Sequence, residues 1–336
     1  TGAVRHMFSH HVLKPERVPL EANLWGTPKS SGSFSTLFDR RILRAIEYCD
    51  DPFEIRVERR GKGLVSSKVF GLSERLSLAA IDGGLECSNK KRLALSLGDS
   101  SCIDLPDESV DAVITDPPFF DHVHYSELAD FFFVWQRHIL RSATAFSGDT
   151  TRSDSEVQNT DPAAFEERLC AVWKECHRVL KPTGLLVFTY HHSRSEGWRC
   201  LLHSLTAADL VVVAAHPIKA EMSVAQPKHQ AINPVDLDVI LVCRKRRTWT
   251  TPLRCERPND AAREWARDQI ARFVDVGRPV GKNDIRVILM AQLLCALSQC
   301  GAEVNPVEAF DRTINEVERS LERLVAEFAS GPSRCT

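Results

Sequence analysis

A surplus of charge of one sign is the most conspicuous thing this chain lacks. Its 43 lysines and arginines are balanced by 45 aspartates and glutamates over 336 residues, a formal net charge of −2. No basic excess marks the chain as a whole for nucleic acid, so any such footprint must be local. None of the eleven cysteines stands at Cys-x-x-Cys spacing, so no zinc or redox site is assigned by pattern, and no metal is expected. An odd cysteine count with no signal peptide is what reduced thiols in a cytoplasmic protein would show, most of them acting as small buried apolar residues. No apolar run reaches ~18 residues, so no membrane span is expected. The first residue is Thr1 rather than Met, the mark of processing or of a fragment.

What is present is globular. Hydrophobic residues make up 43% and charged residues 26%, near the average for a folded domain, and 336 residues can bury a full core without staples. Three basic clusters stand out: Arg40, Arg41 and Arg44; Arg56, Arg59, Arg60 and Lys62; and Arg244, Lys245, Arg246 and Arg247. The ordinary reading of each is a solvated face.

The pattern divides the chain into residues 1–92, loop-rich with a helix over 36–49; residues 93–247, an α/β region; and residues 248–336, a helical appendage. Turn formers from Lys14-Pro15 to Ser30-Ser31-Gly32-Ser33 leave little room for regular structure before the first helix, whose apolar positions are Leu37, Ile42, Ala45 and Ile46. From residue 93, short apolar runs alternate with helical stretches, which predicts β/α units and a mostly parallel sheet. The strands are predicted at Leu93–Leu97, Val110–Thr115, Leu185–Tyr190, Leu210–Ala215 and Leu237–Val242.

A helix carrying Leu128, Phe131, Phe132, Trp135 and Ile139 presents that stripe to the core. A second begins with Asp161 as N-cap and Pro162 in the first turn, runs Phe165, Leu169, Val172, Trp173, Cys176 and Val179 down one face, and ends at Lys181-Pro182-Thr183-Gly184. Asp284 to Leu297 is apolar nearly all round, and Asn305-Pro306 opens a helix with Val307, Phe310, Ile314, Val317, Leu321 and Leu324 near heptad spacing.

The most informative stretch is the apolar strand 110–115 running directly into Asp116-Pro117-Pro118-Phe119. The exocyclic amine of adenine or cytosine is a poor nucleophile because its lone pair is delocalised into the ring, so an enzyme that modifies it needs two acceptors aimed at its N–H bonds. The Asp116 carboxylate and the Pro117 carbonyl can be those acceptors. The fixed φ of Pro117 and Pro118 stiffens the loop that holds them. Phe119 would stack on a base flipped out of the duplex, offsetting part of the extrusion cost with ~1–3 kcal/mol. Alone, Asp-Pro-Pro is equally a turn after a strand.

The run Thr115-Asp116-Pro117-Pro118-Phe119-Phe120-Asp121 through Tyr125–Trp135 resembles the large adenine-specific DNA methylases of the DUF1156 type. So do Leu13-Lys14-Pro15-Glu16-Arg17, Trp25–Phe34 and His177–Gly184, and the resemblance extends over residues 10–250. It implies a partial class I, Rossmann-like methyltransferase sheet with a helical C-terminal appendage, using S-adenosylmethionine and acting on DNA. It places the target-base site on Asp116, Pro117, Pro118 and Phe119, makes the strand after Lys181–Gly184 the fifth of the sheet, and makes the strands at 210 and 237 its closing antiparallel pair. Asp99, in Leu97-Gly98-Asp99-Ser100, would lie near the donor's adenine, although Gly-Asp after a strand is also an ordinary turn.

One family feature is missing. Class I methyltransferases hold the donor on a Gly-rich loop after the first strand, and no Phe-x-Gly-x-Gly occurs in these residues. Arg60-Gly61-Lys62-Gly63 and Asp82-Gly83-Gly84 are better read as turns. In the resembling family that loop precedes the region matching Thr1, so the chain is expected to be a C-terminal portion whose donor site comes from an upstream segment or a separate subunit. Adenine N6 is the expected target, favoured by the leading Asp. Cytosine N4 is the alternative, and a non-catalytic DNA-binding half is the reading from a different class. The polar stretch 141–161 and the N-terminal loop are the candidate DNA-facing segments, though 151–160 could equally be a disordered connector.

Overall fold

The structure, a computed structural model, describes residues 38–61, 63–71, 78–81, 84–87, 92–93, 98–120, 124–139, 148–220, 235–248, 257–300 and 305–329. The expectations for residues 1–35, for Leu37 and for most of the strand at 93–97 lie outside them. The chain forms two compact units, residues 1–97 and residues 98–336.

In the first unit a π-helical turn, Phe38–Leu43, runs into α1 (Arg44–Asp50), where the sequence predicts a helix. Its apolar positions are not core positions, because Ile42 and Ile46 are exposed. A hairpin follows that the loop-rich reading did not anticipate: β1 (Phe53–Arg60) pairs antiparallel with β2 (Gly63–Phe70). Its period-2 signal is Phe53, Ile55 and Val57 alternating with charge. Gly61 occupies the turn at φ +62°, a conformation that L side chains rarely adopt. β3 (Leu78–Ile81), β4 (Gly84–Cys87) and β5 (Arg92–Leu93) form a small antiparallel sheet in which Ile81 faces Gly84.

The second unit is α/β. β6 (Val110–Thr115) has the bounds the sequence predicts. It leads through α2 (Tyr125–Ile139) and α3 (Pro162–Val179) to β7 (Leu180–Tyr190), which lies parallel to it. After α4 (Ser195–Ala207), β8 (Leu210–Lys219) and β9 (Leu237–Lys245) make an antiparallel pair, and the sheet order is β6-β7-β9-β8. The last helices are α5 (Pro258–Asp275), α6 (Lys282–Ser298) and α7 (Pro306–Ala329).

α3 starts where its cap requires: the Asp161 carboxylate accepts from the Ala163 N–H at 3.2 Å, satisfying one of the orphan donors of the first turn. Lys181–Gly184 does not stop the helix from outside. These residues bulge within β7, whose register jumps from Val110↔Leu180 to Ala112↔Leu185. Gly184 is needed there, since a Cβ would come within 2.9 Å of the Leu180 side chain and 3.1 Å of the Asp111 carbonyl oxygen. Arg178, at the end of α3, ties the helix to the loop before β6. It donates to the Ile103 and Leu105 carbonyls at 2.9 and 2.8 Å and to Glu175 and Asp107.

One face of the sheet is buried. Leu186, Phe188, Tyr190, Val239, Leu241 and Cys243 share a core with residues of α3, α4 and α6, and Trp173 lies 4.8 Å from Phe188 between ring centroids. α5, α6 and α7 contribute to that same core, so the C-terminal helices are joined to the sheet. α6 also satisfies β8 at its bulge: Ser298 accepts from the Val212 N–H at 2.9 Å, and Gln299 and Gln292 donate to the Val212 and Ala215 carbonyls. The buried Asp284, near the start of α6, accepts from the Gly281, Asp236 and Leu237 N–H groups and thereby ties α6 to the head of β9. The opposite face is more open, with Val187, Thr189, Ile240 and Val242 half-buried and Ile114 79% exposed.

The sequence predicts a mostly parallel sheet, but of its three pairings only β6–β7 is parallel. Other sequence readings change too. The α2 stripe is not a core stripe: Phe132 is 52% and Trp135 63% exposed, while Phe133, outside the stripe, is buried. The start of the connector at 151–160 is bonded to α2: Asp130 accepts from the Thr151 N–H at 2.6 Å and from the Thr150 and Thr151 hydroxyls, which holds its carboxyl down at about 2. Three members of the basic cluster at 244–247 are committed to the fold: Arg244 donates to the Thr183 carbonyl, Lys245 is buried near Glu108, and Arg246 donates to the Ser298 carbonyl, while Arg247 stays exposed. Cys49, Cys102, Cys170, Cys176, Cys200, Cys243, Cys295 and Cys300 are free thiols, and no described helix is long and apolar enough to cross a membrane.

Candidate functional site

The parallel pair β6–β7 ends at Thr115 and Tyr190, and the residues beyond those ends converge. In an open α/β sheet this carboxyl edge is where ligands bind. Thr115 pairs with Phe188, so Asp116 comes level with Thr189 on the more open face. The Thr189 hydroxyl donates to the Asp116 carboxylate, which is otherwise exposed. The Asp116 charge is felt by Tyr125 at the start of α2: burial first, and then Asp116, push the Tyr125 hydroxyl above its ordinary value.

Pro117 is buried and Pro118 half-buried, so the two rings anchor the loop between an exposed acid and an aromatic. Phe119 lies half-buried against the core. Tyr190 and His191 both meet its ring nearly edge-on, with centroids 5.5 and 4.7 Å away and interplanar angles of 78° and 62°. Phe120 is the loop's pin. It is 1% exposed, its φ is +60°, and its ring contacts Phe165 at 5.1 Å and His192 at 5.6 Å, with the Arg194 guanidinium over it at 5.6 Å. A bulky residue takes this backbone conformation only where its surroundings impose it.

The corner after β7 is equally fixed. Tyr190 donates its hydroxyl to the Gly197 carbonyl at 3.0 Å, and the Trp198 indole N–H donates to the His192 carbonyl at 2.9 Å. His192 is fully buried, and a Cβ on Gly197 would approach its ring to 2.7 Å, so only glycine fits at that point in α4. His191 turns the other way and pairs through Nδ1 with Asp238 at the start of β9, its cross-strand neighbour next to the Tyr190↔Val239 pair.

Of the residues singled out from sequence, Asp116, Pro117, Pro118 and Phe119 are contiguous and lie together at this edge. Asp99 makes local bonds within its own turn. One of its carboxylate oxygens accepts from the Ser101 N–H at 2.8 Å and from the Ser101 hydroxyl at 2.7 Å, and these two bonds hold the carboxyl below its usual value. That is an Asx turn, and among the described residues no interaction links Asp99 to the Asp116 loop. Thr189, His191, Asp238 and Tyr125 were not given roles from sequence. The one available signal was the Tyr190-His191-His192 run closing an apolar strand. No group of three or more His, Cys, Asp or Glu that could hold a metal ion occurs among the described residues.

No protein-family model matches the chain, so the likeness to the DUF1156-type methylases stays a resemblance of motifs. No curated protein matches it in sequence. Among solved structures the chain is similar to a Thermus thermophilus protein described as a putative DNA modification methylase, at 15% identity and a TM-score of 0.27, over 64% of this chain and 93% of that one. It is also similar to the PvuII DNA methyltransferase described as cytosine-N4-specific, at 9% identity and a TM-score of 0.30, over 68% of this chain and 91% of that one. Neither likeness bears on the chemistry of the site, which rests on its own residues.

Proposed function

We propose that the chain carries the target-base half of a DNA amino-methyltransferase, acting on adenine N6 in preference to cytosine N4. The observation that carries this reading is the pairing of an exposed carboxylate, Asp116, with an aromatic ring, Phe119, on a loop stiffened by two prolines and pinned by Phe120. In this reading Asp116 and the Pro117 carbonyl accept from the two N–H bonds of the amine and draw electron density onto its nitrogen, while Phe119 stacks on the extruded base. The leading Asp favours adenine. The lack of a basic surplus means that DNA affinity would come from stacking and local contacts more than from the net field.

S-adenosylmethionine would supply the methyl group as a sulfonium, but the described residues do not fit it. They offer no Gly-rich loop after a strand. A donor site contributed by another segment or subunit is therefore part of the proposal. The second reading, a DNA-binding half without chemistry of its own, is favoured by the same missing loop.

The test is base capture, which needs no donor. Single-stranded oligonucleotides carrying one adenine, one cytosine or one purine without an exocyclic amine are titrated against the full chain. Adenine is expected to bind most tightly, and Phe119→Ala should remove most of the affinity. Equal binding of all three, unaffected by Phe119→Ala, overturns the base-site reading.

A further inference from the structure

Phe119 sits on a loop with no ladder partner, so nothing in the backbone pairing fixes the plane of its ring. A stacking platform works only if that plane is held, because a ring that tilts loses contact across the face of the base. Among the described residues, the rings of Tyr190 and His191 meet the Phe119 ring edge-on. Tyr190 is fully buried and locked by its hydroxyl bond to the Gly197 carbonyl and by the Trp198 ring 5.1 Å away. It is a rigid wall. His191 lies closer, at 4.7 Å, and is partly exposed on the open face, where its ring needs an orienting group of its own.

Asp238 supplies one such contact. β7 and β9 run antiparallel with Tyr190 opposite Val239, which makes His191 and Asp238 direct cross-strand neighbours on the same face as Thr189 and Asp116. His191 Nδ1 is in ion-pair contact with an Asp238 carboxylate oxygen, and a carboxylate in that place is the kind of group that orients a histidine where ring orientation matters. The adjacent His192 has a different duty: it is buried against Phe120 and the first turn of α4.

We infer that His191, oriented by Asp238, is a positioning residue that sets the plane of the Phe119 ring at the base site. The inference rests on the base-site reading for its functional consequence, but the positioning can be measured without it.

The experiment places 4-fluorophenylalanine at position 119 of the full chain and follows its 19F resonance, with melting temperature as the check on folding. Wild type should give a single resonance from a restrained ring. His191→Ala should move that resonance toward the free-ring position and narrow it, Asp238→Asn should do the same in part, and His191→Phe, which keeps a ring edge but not the carboxylate contact, should largely restore restraint. In parallel, His191→Ala should weaken adenine-oligonucleotide binding about two- to tenfold, the worth of one aromatic pair, and should add nothing to Phe119→Ala. An unchanged 19F resonance in a folded His191→Ala chain, or effects of the two substitutions that simply add, overturns the inference. If His191→Ala does not fold, Asp238→Asn carries the same test. A resonance that responds to His191→Ala while Phe119→Ala leaves binding untouched supports the positioning and removes the base-site reading instead.

Discussion

Thr189 donates its hydroxyl to the Asp116 carboxylate across the ends of β7 and β6. This bond gives the exposed acid a fixed direction, and it is possible only because the parallel register sets residue 116 level with 189.

If Asp116 reads the amine, its removal should erase the distinction between adenine and a purine lacking the amine. Asp116→Ala is expected to lower that discrimination about tenfold or more, the scale of a hydrogen bond to a charged group. Thr189→Val keeps the carboxylate and frees its rotamer, so the loss should be smaller, about fivefold, with little change in melting temperature. Paired titrations of the two oligonucleotides check both values. Unaltered discrimination in Asp116→Ala would make the residue a structural turn.

Isothermal calorimetry of the purified chain with S-adenosylmethionine should show no appreciable binding. Low-micromolar affinity would mean that these 336 residues contain a donor site with no Gly-rich signature.

Phe120 combines deep burial with a left-handed backbone. Phe120→Ala should cost about 3–5 kcal/mol from the lost ring. Phe120→Gly loses the same ring but relieves about 1 kcal/mol of backbone strain, so it should be the more stable of the two in urea unfolding. The reverse order would show that the strain is absent.

The clamp of Glu175 on the Ile103 N–H and on Arg178 should appear in the acid limb of stability. The Arg178 guanidinium first, and then the Ile103 N–H, hold the Glu175 carboxyl down from 4.5 to about 2. Because the folded value lies below the unfolded one, the stabilisation is fully present above about pH 4.5 and is lost as pH falls toward 2. Melting temperature should therefore drop less steeply across that window in Glu175→Gln than in wild type, starting from a lower value at neutral pH. Parallel slopes would show that the clamp contributes nothing.

Much of the fold is legible in local pattern because the forces that set it are local. Val110–Thr115 is an apolar run ended by two prolines, and it forms a strand with those bounds. Asp161-Pro162 caps a helix whose periodic stripe, from Phe165 to Val179, is buried at every position but the half-buried Val172, as the 3.6-residue repeat requires. The Asp-Pro-Pro-Phe motif is a contiguous signal of the same kind.

Periodicity fails where burial depends on what packs opposite. Phe132 and Trp135 fall on the apolar stripe of α2 and are exposed, whereas Phe133 is buried, because a stripe shows that a helix could bury a face but not that a neighbour covers it. The composition that marked residues 1–92 as loop concealed the alternation in Phe53, Ile55 and Val57 that builds β1. The sequence by itself determined the acid, the prolines and the ring of the candidate site. Only the tertiary structure decided what surrounds them, since Thr189, His191 and Asp238 lie 73 to 122 residues from Asp116 along the chain and are brought to it by two strand registers, one parallel and one antiparallel, that no local propensity encodes.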